Sequence, residues 1–292
     1  MSEPAEHSAE GERIAKVLAR AGVASRRDAE KMIEAGRVAV NGTVLKTPAF
    51  KVPPGAKIVV DGKVVGQPER ARLWRYHKPK GLVTTHKDEK GRATVFENLP
   101  AGLPRVISIG RLDYSSEGLL LLTNDGALAR RLELPAHGWL RRYRVRAFGR
   151  LTQEDLDRLA KGVEIDGVRY AGIEAKLDRT QGGNTWATLA LKEGKNREVR
   201  RVMEHLGVKV NRLIRISFGP FHLGQLNEGE VDEIPARVMR EQLGFKKDGG
   251  DLEPAPTPAE KANARREEAR RPRPDRLPAP TPTPKKKYRP RH

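Results

Sequence analysis

The chain of 292 residues carries 57 Lys and Arg against 38 Asp and Glu, a formal charge of +19, with no cysteine and only 37% hydrophobic residues. Such a basic excess points to a polyanionic partner, most often nucleic acid. The missing cysteine excludes disulfides and thiolate metal sites and suits a reducing cytoplasm. The acidic start, MSEPAEHSAEGE, is no secretory signal, and no apolar run approaches the roughly 20 residues of a membrane helix, so a soluble cytoplasmic protein without membrane contact is expected.

Four zones follow in chain order. Residues 1–10 hold three acidic side chains and no periodicity, and read as a disordered leader. Residues 11–70 form a compact unit with twelve Lys/Arg against six Asp/Glu. Within it, Ile14, Val17, Leu18 and Ala21 recur at helical spacing before Gly22, and Ser25 caps a second helix with Ala29, Met32 and Ile33 on its apolar stripe. Val38 and Val40 then alternate into an Asn41-Gly42 turn, and a second hairpin turns at Asp61-Gly62. Arg26, Arg27, Lys31 and Arg37 cluster around the second helix as a candidate RNA-binding face. Two helices followed by short strands in this order resemble the S4 domain of ribosomal and RNA-modifying proteins.

Residues 71–245 read as a larger mixed domain. LWRYHKPKGLVTT predicts a strand running to a turn at Pro79–Gly81, and residues 142–149 alternate as a strand. Thr152 caps a helix that turns Leu156 and Leu159 inward. VEIDGVRYAGIEAKL and TWATLALKEG predict strands, and NREVRRVMEHLG a helix stopped by Gly207. NRLIRISFGPFHL returns to strand before a last helix opening at Pro235. Leu119–Leu122 predict a central strand buried on both faces, ended by a turn at Asn124-Asp125-Gly126. The class is α+β, with a mixed, mainly antiparallel sheet. Residues 246–292 hold ten prolines and fourteen basic residues with almost no large apolar ones. Such a segment is expected to be a disordered basic tail, serving either loose capture of RNA or solubility.

No P-loop, no dinucleotide fingerprint and no paired metal-binding histidines occur, so neither cofactor nor metal is expected. Attention falls on GRLDYSSEGLLLLTNDG, where Asp113 precedes the leucine run. An aspartate there can simply tighten a turn. In a half-dry setting with Arg111 beside it and the basic 195–201 segment in reach, it can also serve as a nucleophile or base. At 100° per residue, Val199, Val202, Met203 and Leu206 mark the core face of the 196–206 helix. Arg200 then lies at the border of that face, placed to pair with a semi-buried carboxylate. Arg201 points to solvent and, with Arg197 and Lys195, suits phosphates.

KPKGLVTTHKDEKGRATVFENLP, GRLDYSSEGLLLLTNDG, RRYRVRAFG and KEGKNREVRRVMEHLGVKVNRLIRISFGP together resemble the ribosomal-RNA pseudouridine synthases with an N-terminal S4 domain. The match spans residues 12 to about 243 and is closest to the large-subunit synthase B branch. The resemblance implies an S4 domain over 11–70, a synthase domain over 71–245, and cofactor-free isomerisation of uridine with base flipping. It makes Asp113 the catalytic aspartate, attacking ribose C1′ or abstracting a proton from C2′. It also makes Tyr143 the residue stacked on the target base, Arg200 the partner of the aspartate and Leu213 an apolar wall of the uracil pocket. Arg111 fills the gap left by the flipped nucleotide. The partner implied is ribosomal RNA, of the large subunit and free or within a pre-ribosomal particle; the sequence carries no dimerisation signal, so a monomer is the default expectation. The rival readings are an S4-type assembly factor without catalysis, or the same chemistry on small-subunit rRNA.

Overall fold

The computed structural model describes residues 11–134 and 138–244, so the expected leader and tail lie outside the described residues. The N-terminal region runs β1 (Glu12–Arg13), α1 (Ile14–Arg20), α2 (Arg26–Glu34), β2 (Val38–Val40), β3 (Thr43–Val44), β4 (Lys51–Val52), β5 (Ile58–Val60) and β6 (Lys63–Val64). Ser25 starts α2 by accepting the Asp28 amide at 3.1 Å. The helices bury Ile14, Leu18, Ala29 and Ile33 against Val38, Val40, Ile58 and Val60 of a four-stranded sheet ordered β3-β2-β5-β6. Both hairpins turn through two left-handed residues, Asn41 and Gly42 at φ 50° and 85°, and Asp61 and Gly62 at 48° and 77°. That is the twist-matched geometry Asn-Gly and Asp-Gly select.

The second region is built on β7 (Leu73–Lys78), β8 (Ile107–Ile109), β9 (Glu117–Thr123), α3 (Gly126–Glu133), β10 (Arg141–Phe148) and α4 (Gln153–Asp157). It continues through β11 (Val163–Ile165), β12 (Val168–Tyr170), β13 (Glu174–Gln181), β14 (Asn184–Leu191), α5 (Glu198–His205), β15 (Lys209–Phe218), β16 (Phe221–His222), β17 (Val231–Glu233) and α6 (Ala236–Leu243). The main sheet is ordered β13-β14-β10-β15-β9-β7-β17, with β8 beside β9 and β16 beside β15. Its pairs are antiparallel except β9 with β15. The leucine strand β9 is central and buried along its whole length. α4 carries a full capping box between Thr152 and Asp155.

The sheet is covered unevenly. On one face α4 and α5 close over Val145, Ala147, Ala187, Leu189 and Leu213. On the other, α3 and α6 pack on Leu73, Leu119, Leu121 and Phe218. Two expectations need correction. Asn124-Asp125-Gly126 is more than a turn, because the Asp125 carboxylate accepts the amides of Ala127 and Leu128 at 2.8 and 2.7 Å and so starts α3. The segment 163–170 forms its own ribbon, β11 with β12, outside the main sheet.

Candidate active site

Asp113 lies in the loop leading into β9 and is half-buried. The loop is held by its backbone. Thr84 Oγ donates to the Leu112 carbonyl at 2.9 Å, and the Gly81 amide donates to the Tyr114 carbonyl at 2.8 Å. The Ser116 amide closes back on the Asp113 carbonyl at 3.0 Å. Glu133 accepts the Gly110 amide at 2.7 Å and fixes the loop's entry.

Three buried cations complete the clamp. Lys78, fully buried, donates from Nζ to the carbonyls of Pro79, Asp113 and Ser116 at 3.0, 3.3 and 2.9 Å. Arg200 reaches from α5 to the Ser115 carbonyl at 2.9 Å and the Val210 carbonyl at 3.2 Å. Arg215 donates from Nε to the Leu119 carbonyl at 2.7 Å. Four carbonyls between residues 113 and 119 thus accept from buried positive groups. Burial pushes the Lys78 ammonium down to about 8, against the opposing pull of the Asp113 and Glu117 charges. Burial also lowers Arg200, with Arg197 adding to the fall and Asp113 resisting it.

This arrangement leaves the Asp113 carboxylate itself open. Among the described residues it makes no side-chain hydrogen bond or ion pair. Arg200 was expected to pair with it directly from the border of the buried face. The guanidinium instead sits inside that face, 6% exposed, and holds the loop by carbonyls while acting on Asp113 through its charge. The reason is that α5 is flanked by both β15 and the 113–116 loop, which widens its buried arc and supplies the acceptors. Arg201, beside it, is half-buried rather than solvated.

Tyr143 links the two core clusters on this face. It packs against the group containing Leu112, Leu120 and Tyr76 and against the group containing Val145, Val199 and Leu213. It pairs with Arg215 on β15, which in turn pairs with Gly118 on β9, so one row across the sheet runs from the tyrosine to the start of the leucine strand. Leu213 is buried opposite Val145. Gly118 is required there. At φ +100°, a Cβ on it would lie 2.4 Å from the Arg215 carbonyl oxygen. Arg111 is exposed at the loop's edge, and Tyr114, directly after Asp113, shows half its surface.

The remaining predicted basic residues divide. Arg26, Arg27 and Lys31 are exposed on α2. Arg37 is forked onto Asp61 at 2.8 and 2.5 Å, a hairpin-locking pair. Lys195 donates to the Arg169 carbonyl at 2.5 Å and to Glu193 at 2.9 Å. Arg197 is exposed in a left-handed conformation, φ 52°, ahead of α5. That turn is pinned by buried Glu198, which accepts the Lys195 amide at 2.9 Å and whose carboxyl burial pushes up.

The sequence reading missed Lys78, Thr84, Arg215, and the pair in which Arg212 donates to Glu117 at 2.8 Å. A signal existed for Lys78. Alternation along LWRYHK puts it on the same face as Trp74 and Tyr76, so a lysine is aimed at the core. Among the described residues no cluster of acidic and histidine side chains suits a metal ion, and no helix is long and apolar enough to cross a membrane.

A family model described as RNA pseudouridylate synthase matches residues 72–205, and one described as S4 domain matches residues 12–58. An uncharacterized RNA pseudouridine synthase of Rickettsia felis is 49% identical over 231 residues, covering 78% of this chain and 99% of its own length. The ribosomal large subunit pseudouridine synthase B of Haemophilus influenzae is 43% identical over 247 residues, covering 81% and 69%. The protein of the same description from Shigella flexneri is 44% identical over 240 residues, covering 79% and 83%. A crystal structure of a pseudouridylate synthase superposes with a TM-score of 0.55 at 26% identity, over 79% of this chain and 98% of that one.

Proposed function

This chain belongs to the RNA pseudouridylate synthase family, and we propose that it isomerises a uridine of large-subunit ribosomal RNA with Asp113 as its catalytic carboxylate. The observation that carries the reading is an open carboxylate on a loop whose backbone is held by Lys78, Thr84 and Arg200. Large-subunit rRNA as substrate is supported by the relatives of that description at 43–44% identity. A ribosomal RNA substrate supports a cytoplasmic site of action.

In this reaction the N1–C1′ bond of uridine breaks, the uracil turns, and a C5–C1′ bond forms. A proton leaves C5 and N1 gains one, so no electron donor is consumed. Asp113 either attacks C1′ or takes a proton from C2′ to release the base. The clamp fixes the approach of the carboxylate before the substrate arrives, which is the positioning such a step needs. A base inside a helix is unreachable, so it must be extruded at a cost of about a few kcal/mol. Stacking on Tyr143 returns about 1–3 kcal/mol of it. Leu213 gives the uracil edge an apolar wall, backed from within the core by Val145. Arg26, Arg27 and Lys31 on α2, with Arg197 and Arg201 near α5, supply phosphate contacts, and Arg111 occupies the place of the extruded base. The region 11–70 serves as the RNA-binding domain and 71–245 as the catalytic one.

The test is Asp113→Asn, followed by mapping of pseudouridine in ribosomal RNA from cells carrying only that variant. Loss of one modified position, with rRNA affinity retained by the purified variant, supports the assignment. A map identical to wild type refutes it. Loss of RNA binding together with activity assigns Asp113 a structural role instead.

A further inference from the structure

The main sheet leaves one strip uncovered. On the face of α3 and α6, those helices pack over β7, β9 and β15, while β10, β14 and β13 carry no helix. This strip lies on the reverse of the sheet from Tyr143 and α5. Alternation along β10 places Arg142, Arg144, Arg146 and Phe148 there. The register sets Trp186 between Arg146 and Arg179, and Thr188 between Arg144 and Lys176.

The strip is organised around one aromatic ring. The guanidinium carbons of Arg144, Arg146 and Arg179 lie 5.0, 5.8 and 5.4 Å from the centroid of Trp186. Arg144 and Arg179 are exposed, and Phe148 beside them is 61% exposed. Arg146 Nε is buried under the stack without a hydrogen-bond partner. Five cations share the strip with two carboxylates, Glu174 and Asp178. Asp178 is already engaged by the Thr188 hydroxyl at 2.9 Å and by Arg144 at 3.8 Å.

Like charges on neighbouring strands repel, and a surface built only for solubility intersperses the two signs. Here guanidiniums are gathered and their planes ordered on an indole. An extended anion relieves that repulsion. Arg144 and Arg146 stand about 6.8 Å apart along β10, and Arg179 stands about 9.6 Å away across the intervening strand β14, an array suited to bidentate contacts with successive phosphates. An acidic protein loop would meet the same charge, but the regular repeat and the planar donors favour a regularly spaced polyanion.

We propose that this strip is a second RNA-binding surface. It grips phosphates of a substrate segment outside the one entering the Asp113 cleft, with Arg144, Arg146 and Arg179 as forks and Trp186 as the plate holding them. The proposal rests on the reading of the chain as an rRNA-modifying enzyme. It extends the RNA footprint to the back of the sheet.

The experiment compares the full chain with R144Q/R146Q/R179Q on two RNAs, the minimal target hairpin and a longer rRNA fragment containing it. For the long fragment, affinity should weaken about tenfold or more, and the slope of log affinity against log salt should fall by about 2–3. Hairpin affinity and its single-turnover rate should stay within about twofold. R144K/R146K/R179K should restore the salt slope, since the charges return. Unchanged affinity and slope on the long fragment overturn the proposal. Equal losses on both RNAs overturn it too, by placing the contacts in the cleft. Unchanged affinity for naked RNA with lost activity on ribosomal particles assigns the strip to a protein and likewise overturns it. Should the glutamine variant fail to fold, phenylglyoxal modification of the wild-type chain decides. Arg144, Arg146 and Arg179 should be protected by the long fragment but not by the hairpin, and equal reactivity with and without RNA refutes the claim. A wild-type chain that forms no pseudouridine yet shows the strip-dependent slope defeats the enzymatic reading and leaves the strip standing.

Discussion

Lys78→Met isolates the part played by the buried clamp. The ammonium is held at a pKa of about 8 by burial, so its charged form is disfavoured at neutral pH by about 3 kcal/mol relative to water. Methionine relieves that cost but strips the carbonyls of Pro79, Asp113 and Ser116 of their donor. Each orphaned acceptor costs about 1–3 kcal/mol, so the variant should be less stable by about 3 kcal/mol, the middle of the resulting range. The pH dependence has a definite sign. Below pH 8 the lysine is charged in both states and the burial cost is present in full. Between pH 8 and 10.5 the unfolded chain holds a proton the native chain has lost, so wild-type stability rises with pH through this group. The methionine variant lacks that slope. Urea unfolding at pH 7 and pH 9.5 should therefore show the gap between the two proteins widening by about 2 kcal/mol. Single-turnover pseudouridine formation should fall about 100-fold through misplacement of Asp113, with RNA affinity unchanged. A gap that stays constant with pH refutes the titration argument. Wild-type turnover in a folded variant refutes the clamp.

Arg200→Lys keeps the charge but cannot bridge the Ser115 and Val210 carbonyls. Turnover should drop about 10- to 100-fold with KM little changed, and a change confined to KM contradicts the positioning role. Gly118→Ala forces a Cβ against the Arg215 backbone at φ +100°. Unfolding should show a loss of more than about 3 kcal/mol, and a neutral result argues against the close packing of β9 on β15. Removing residues 246–292 deletes fourteen basic side chains. Salt titration of RNA binding should become shallower while the single-turnover rate is retained, and an unchanged slope means this segment does not touch RNA.

The elements that sequence made legible were those whose local chemistry is self-sufficient. Asn41-Gly42 and Asp61-Gly62 specify their hairpins without help from distant residues, and Ser25 and Thr152 cap their helices with amides three positions away. The leucine run was readable as a central strand because continuous apolarity needs burial on both faces. What escaped was decided by partners far along the chain. Arg200 is buried because carbonyls of residues 115 and 210 meet it, and no helical wheel contains those acceptors. Asp125 looked like a turn residue because the same side chain that ends a strand also caps α3. Arg144 and Arg146 read as ordinary polar positions on an alternating strand. Only the register of three strands shows them converging on Trp186.

The clamp also bears on how Asp113 should behave when its charge is removed. Lys78 and Arg200 are disfavoured by burial, and for both the Asp113 charge pulls the other way. Asp113→Asn removes that support, so Lys78 should titrate lower still and its charged form should weigh more heavily at neutral pH. The variant should then be less stable than wild type at pH 7 by about 1 kcal/mol. By pH 9.5 the lysine is neutral in the folded state of either protein, so its share of the difference fades while the share through Arg200 persists. Urea melts at the two pH values should show the deficit shrinking without vanishing. An asparagine variant more stable than wild type at pH 7 would mean that holding the carboxylate half-buried costs the fold more than the two cations return. The loop would then be storing strain for catalysis rather than balancing charge.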